Sequence, residues 1–327
     1  MSPTPLPEPA GQIRELVRTG RFADALQMFR ASDAATQRPD GLLLAATAAT
    51  RLGELAEART LAETAAAGFR ARGDRDGSMR TFNLLGVIGI EQGRLHESDP
   101  ALRTALGLAQ ELSDSQLAAR ASNNLASLMH LRGRAAEALS LYRAALVAYQ
   151  RLGDRRGTAE TFHNLGIVFR QMESWADAEG AAAEALRHAE IVGEASLLAL
   201  MLVGRAEIRV EQGSLPLAEA ELNRGLRLAE EAGDELTVAE AQRVKAMAAV
   251  RRADFTAALA PAEAAHAAAL KAGAVLLSAD AAAVLALALR GLERFDEAEQ
   301  RHAEAVEGYR TLGAEHLIAK FERGWRE

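Results

Sequence analysis

Few residues in this chain could carry chemistry, and they do not assemble. There are seven histidines and no cysteine in 327 residues. None of the histidines falls in an HExxH pattern or at metal-ligand spacing from a carboxylate. The absence of cysteine removes disulfides, thiolate metal sites and a thiol nucleophile together, and fits a reducing cytoplasm. Adjacent acids such as Glu230 and Glu231 resemble a catalytic carboxylate pair only on paper, because such pairs are common on solvated helix faces. No GxSxG, no GxxxxGK[ST] and no GxGxxG after a strand is present. His188 and His302 read as solvated or packed residues of helices. An enzyme is not expected, nor a cofactor or a metal.

What remains is a question of positioning, and the chain answers it by repetition. Segments such as "LGELAEAR", "RGRAAEAL", "MESWADAE" and "LERFDEAE" align at a period of 40 residues. One turn column falls at Gly53, Gly93, Gly133, Glu173, Gly213, Ala253 and Glu293, and a divergent leading copy puts Gly20 in it. A second falls half a period later, at Gly73, Ser113, Gly153, Gly193, Gly233, Gly273 and Gly313. Two turns per period predict two helices per period, each about 18 residues and roughly 27 Å long. Glycine at a helix end supplies the left-handed residue at least cost. Three further columns hold small residues. They run through Ala46, Gly86, Ala126 and Gly166; through Ala58, Ser98 and Ala138; and through Ala65, Ala105 and Ala145. Small residues at fixed places predict helices whose backbones approach closely. On that reading a large residue at Gly166 overpacks its repeat.

Composition agrees. Apolar residues make up 49% of the chain and aromatics 4%, which suits closely packed helices rather than a β-sandwich. The net charge of −7 gives no general attraction for nucleic acid or for an anionic membrane. No apolar run approaches the ~20 residues that span a bilayer. The proline-rich start, residues 1–10, reads as a flexible tail. The repeats occupy residues 11–313. Residues 314–327, with Leu317, Ile318, Phe321 and Trp325 at roughly helical spacing, read as a capping helix over the last apolar face, or else as a partner-binding helix. Pro100 and Pro261 predict a delayed helix start or a kink.

Leucine followed by Gly or Ala in the first helix, with Ala, a large residue and Ala in the second, resembles the tetratricopeptide repeat. HEAT and armadillo repeats have similar periods but lack this small–large–small pattern. The period of 40, and the linker "RLGDRRGTAETFHNLG", resemble a longer-repeat subgroup. It includes kinesin light chains, Leu-Gly-Asn-repeat signalling modulators and many bacterial regulators. The resemblance implies an all-α, right-handed solenoid of about eight helix pairs plus a cap. It also implies that the first helix of each pair lines a concave groove.

On that resemblance the ligand-facing places of the second to fourth full repeats include Arg80, Asn83, Arg120, Asn123, Asn124, His163 and Asn164, with His130 and Arg170 one turn further on. Arginine can grip a carboxylate bidentately, and asparagine can pair with a peptide backbone. The bland alternative is that Asn124 and Asn164 bond neighbouring helices and the arginines are solvated. The matching places of the last repeats, among them Val203, Glu207, Glu240, Arg243, Asp280 and Leu287, form a more apolar strip with scattered acids. Arg205 and Lys245 replace the family's leucine there, so family contacts do not carry over. The expected function is a cytoplasmic, non-enzymatic adaptor that binds a protein or peptide segment, with acidic groups, in its groove. A peptide-responsive regulatory sensor and a self-assembling scaffold, hence a homo-oligomer, are the alternatives.

Overall fold

The computed structural model describes residues 8–32 and 38–326. Within these residues the chain is all helix, with no strand. A short pair, α1 (Glu8–Arg18) and α2 (Phe22–Arg30), leads the array. Seven pairs follow: α3 (Pro39–Arg51) and α4 (Leu55–Ala71), α5 (Arg75–Glu91) and α6 (Leu95–Glu111), α7 (Ser115–Leu131) and α8 (Ala135–Leu152), α9 (Arg155–Gln171) and α10 (Trp175–Val192), α11 (Ala195–Glu211) and α12 (Leu215–Ala232), α13 (Glu235–Arg251) and α14 (Phe255–Ala272), and α15 (Val275–Gly291) and α16 (Phe295–Thr311). A single helix, α17 (Glu315–Arg326), ends it. Helix α1 takes up the end of the segment 1–10 read as a tail, and residues 1–7 lie outside the described residues. Pro100 and Pro261 sit inside α6 and α14, which begin before them, so neither delays a helix start.

The turn columns are where the chain reverses. Every glycine in them has φ between +59° and +79°. Ser113, Glu173, Ala253 and Glu293 stand in the same columns, and these four also take positive φ, from 56° to 61°. Position in the repeat therefore overrides residue type. At the next helix start the aspartates Asp74, Asp114 and Asp154 accept a hydrogen bond from the backbone N–H three residues on, each at 2.9 Å. That satisfies one of the N–H groups a helix start leaves open.

The small columns form the contact between helices. Ala46, Ala126, Ala206, Ala58, Ala138 and Ala65 are all completely buried. Gly166, however, is not pressed. A Cβ added to it would meet Ala178 O, Ile208 Cδ1 and Ala181 Cβ at 3.6–3.8 Å, ordinary contact distances. At Gly86 the same atom would lie 2.5 Å from Cγ of fully buried Leu102. The close approach read from the small column thus requires glycine at Gly86 and accepts alanine at Gly166. Gly166→Ala is expected to raise the thermal midpoint, gaining about 1 kcal/mol of helix propensity. Gly86→Ala is expected to lower it, costing about 1–3 kcal/mol by overpacking. Shifts in the same direction would defeat this account.

The solenoid also touches itself one superhelical turn later. Arg51 lies 3.9 Å from Glu194. Leu55 packs in one cluster with Ala239, Ala269, Ala274 and Leu277. Cβ atoms built on Gly53, Gly93 and Gly133 would come within 3.2–3.3 Å of Leu236, Val275 and His316 respectively. The concave side is therefore an interior, roofed in part by α17.

Candidate functional site in the concave interior

The first helices of the pairs present their polar residues at two depths. Near their N-terminal halves Arg80 and Arg120 are exposed. Arg80 forms an i,i+4 ion pair with Asp76 at 3.0 Å, a surface pairing of small energetic weight. Arg120 makes no ion pair among the described residues and lies beside Tyr149. The asparagines are engaged between helices. Asn124 Nδ2 donates to Asn83 Oδ1 at 3.0 Å, and Thr161 Oγ1 donates to Asn123 Oδ1 at 3.0 Å. For Asn124 that is the bond between helices of the bland alternative, and Asn83 and Asn123 are engaged in the same way, since buried amides need partners. Asn164 is half-buried on α9. His163 fills the space left by Gly204, where a Cβ would lie 2.4 Å from its ring. His130 packs under α17 against His316, with ring centroids 6.2 Å apart.

Arg170 does not join Arg80 and Arg120 in a basic strip. Its guanidinium reaches Glu207 at 3.1 Å and Glu211 at 2.6 Å, with 11% of its side chain exposed. Arg243 in turn holds Glu207 at 2.7 Å and Glu240 at 3.0 Å. Tyr309 Oη donates to Asp280 Oδ1 at 2.7 Å, and Lys320 from α17 meets Glu211 at 3.2 Å. The strip read as apolar with scattered acids is thus corrected to a charged network running through α9, α11, α13 and α15. The signal lay in the sequence on a diagonal. Arg170, Glu207, Arg243 and Asp280 follow one another at intervals of 37, 36 and 37 residues. That is one repeat less about one helical turn, which a 40-residue superposition hides.

Electrostatics ranks these groups. Burial pushes the Glu207 carboxyl up, but Arg170 and Arg243 outweigh it and hold it down at about 2. Glu91, from α5, has no cation beside it; burial, and then the charge of Glu240, push it up to about 7. Burial also raises Glu240 and Asp280, against the pull of Arg243. Four carboxyl groups, Glu207, Glu211, Glu240 and Asp280, thus share three cations, Arg170, Arg243 and Lys320, and Glu91 stands apart from all three. This part of the interior carries an excess of acid, whereas the basic strip is expected in the second to fourth repeats, where Arg80 and Arg120 lie exposed and Arg170 joins the network instead. No group of three or more potential metal ligands occurs among the described residues.

The geometry defines a class: helix pairs of 40 residues stacked so that their first helices line an interior, with buried Ala and Gly at the contacts. Comparison with known proteins agrees. Tetratricopeptide repeat family models match residues 117–191 and 278–317. These two stretches match tetratricopeptide repeats, and neither match singles out the kinesin light chain subgroup. Its fold is similar to that of a Rap protein solved in complex with competence and sporulation factor. The TM-score is 0.74 at 14% identity, over 94% of this chain and 86% of that one. It is also similar to the Rap conjugation gene regulator of plasmid pLS20 in complex with the Phr* peptide, with a TM-score of 0.69 at 12% identity, over 93% and 97% of the two chains. Aspartyl phosphate phosphatase F from Bacillus subtilis matches with a TM-score of 0.63 at 13% identity, over 96% and 97%. At such identities the likeness is one of fold. No curated protein matches the chain in sequence.

Proposed function

We propose that the concave interior binds a protein or peptide segment and that the protein acts as a non-enzymatic interaction scaffold. The observation that carries this reading is the uncompensated acid of the interior, Glu91 near Glu240, inside a fold whose curvature makes a long binding surface. Two chains of similar fold were solved with bound partners, one of them a peptide, which supports the reading. The ligand is a segment with a basic side chain or amino terminus for the Glu91 and Glu240 region. Carboxylates on the same segment meet exposed Arg80 and Arg120 at the outer end of the groove.

The test is selection of peptides from a random display library on the immobilised chain. Enriched peptides should carry Lys or Arg together with an acid. Arg80→Glu with Arg120→Glu should weaken a selected peptide about ten- to a hundredfold. Glu91→Gln should weaken it as well. Both arginines are exposed, so the fold survives their change. A library that yields no enriched sequence, or a peptide indifferent to all three changes, contradicts this assignment.

A further inference from the structure

A cavity of about 280 Å³ lies between α17 and the ends of α7 and α9, and touches the charged network through Lys320. One wall is apolar, formed by Val168, Met172 and Leu317. Two imidazoles line it, His130 from α7 and His316 from α17, with ring centroids 6.2 Å apart. His130 is 9% exposed and makes no hydrogen bond among the described residues. Nε2 of His316 is sealed from solvent and is likewise without a hydrogen-bond partner. Burial holds both rings neutral, His130 down to about 4. Each therefore offers one N–H and one bare nitrogen. A polar group taken from water without a partner is expensive, and here a buried ring, His130, and the sealed Nε2 of half-buried His316 meet at one cavity. The rim carries opposite charges. Arg323 on α17 and Glu173 in the turn after α9 both line the cavity, and neither forms an ion pair among the described residues. Lys320, by contrast, is already held by Glu211.

We propose that this cavity is a second binding site, for a small zwitterion with an apolar side chain, the chemistry of an apolar α-amino acid. The carboxylate meets Arg323 and an imidazole N–H, the ammonium meets Glu173 and a bare imidazole nitrogen, and the side chain lies on Val168, Met172 and Leu317. A simple anion would leave Glu173 unpaired and be repelled by it, and a simple cation would do the same at Arg323. Because α17 supplies three of these contacts, an occupied cavity ties α17 to the middle of the array. The site stands whether or not the groove binds a segment.

Calorimetric titration of the full chain with leucine, methionine and phenylalanine tests this. Saturable 1:1 binding of at least one of them is expected. Its analogue without the amine and its analogue without the carboxylate should each bind about tenfold more weakly or worse. Two variants avoid damage to the fold. Arg323→Gln changes an exposed side chain, and Glu173→Gly removes the carboxylate at a position where positive φ (57°) suits glycine better than glutamate. Each should lower amino-acid affinity about tenfold, with the thermal midpoint kept or raised. The proposal is overturned if none of the three saturates by about 10 mM, the weak end of specific binding. It is overturned equally if the one-charge analogues bind as well, or if either variant binds as tightly as the parent.

Discussion

Arg243→Met is expected to destabilise the protein by about 3–5 kcal/mol, the cost of removing one partner from a buried ion pair. Only 8% of the Arg243 side chain is exposed. It is the direct counter-ion of Glu240, and it holds Glu207 jointly with Arg170. Its charge also offsets the burial of Asp280. Methionine keeps much of the volume but strands Glu240 and Asp280, which are already pushed up by burial. They can escape by taking up protons, so the loss should be smaller at pH 5 than at pH 8. Adding Glu240→Gln and Asp280→Asn should recover much of it. Urea unfolding at the two pH values measures both effects. An unchanged midpoint at pH 8 would show that the network is solvated in solution.

Stability is expected to fall as pH drops from about 6.5 to 4. His163 is held neutral to about 4 by burial, with the charge of Glu207 opposing and that of Arg170 assisting. His130 is held there by burial, His316 and Arg170. For a base whose folded pKa is depressed, the unfolded chain takes up protons first. Each histidine therefore removes up to about 3 kcal/mol across that window. Glu91 acts in the opposite sense. Its folded pKa of about 7 lies above the unfolded value of 4.5, so the folded form protonates first. Stability from this group is regained as pH falls through 7 toward 4.5. Glu207, held near 2, adds its own loss only below about 4.5. His130→Gln with His163→Gln should flatten the profile, and Glu91→Gln should steepen it. Denaturant midpoints between pH 4 and 8 are the measurement, and a double histidine variant that tracks the parent would refute the linkage.

The local grammar of the fold was legible in the residues. Turn columns placed every left-handed position, including Glu173 and Ala253, because a repeating backbone imposes the same reversal whatever side chain stands there. The small columns placed the helix contacts. The groove residues were legible only as positions. Asn83 and Asn124 stand three and two residues before the small column of their repeats, offsets that say nothing of whether they face a ligand or each other, and the structure pairs them. Arg170 looked like part of a basic strip because its partners, Glu207 and Glu211, belong to the next repeat on a diagonal. The difference between Gly86 and Gly166 depends on where Leu102 lies, which a column of Ala and Gly cannot express. The path of α17 and the closure between turns depend on the sum of small rotations per repeat, and no single residue encodes that sum.

That closure has a consequence for how the molecule can change. An open solenoid behaves as a row of beads, in which each unit answers only to its neighbours and length is negotiable. Here Arg51 meets Glu194, the Gly53 turn meets Leu236, and the Gly133 turn meets His316, each across more than one hundred residues. Inserting or deleting one forty-residue unit between such partners would shift the pairings on both sides of it, as removing one stave loosens a whole cask. The number of repeats is therefore fixed by geometry, and the chain should melt as one cooperative body instead of fraying from its ends.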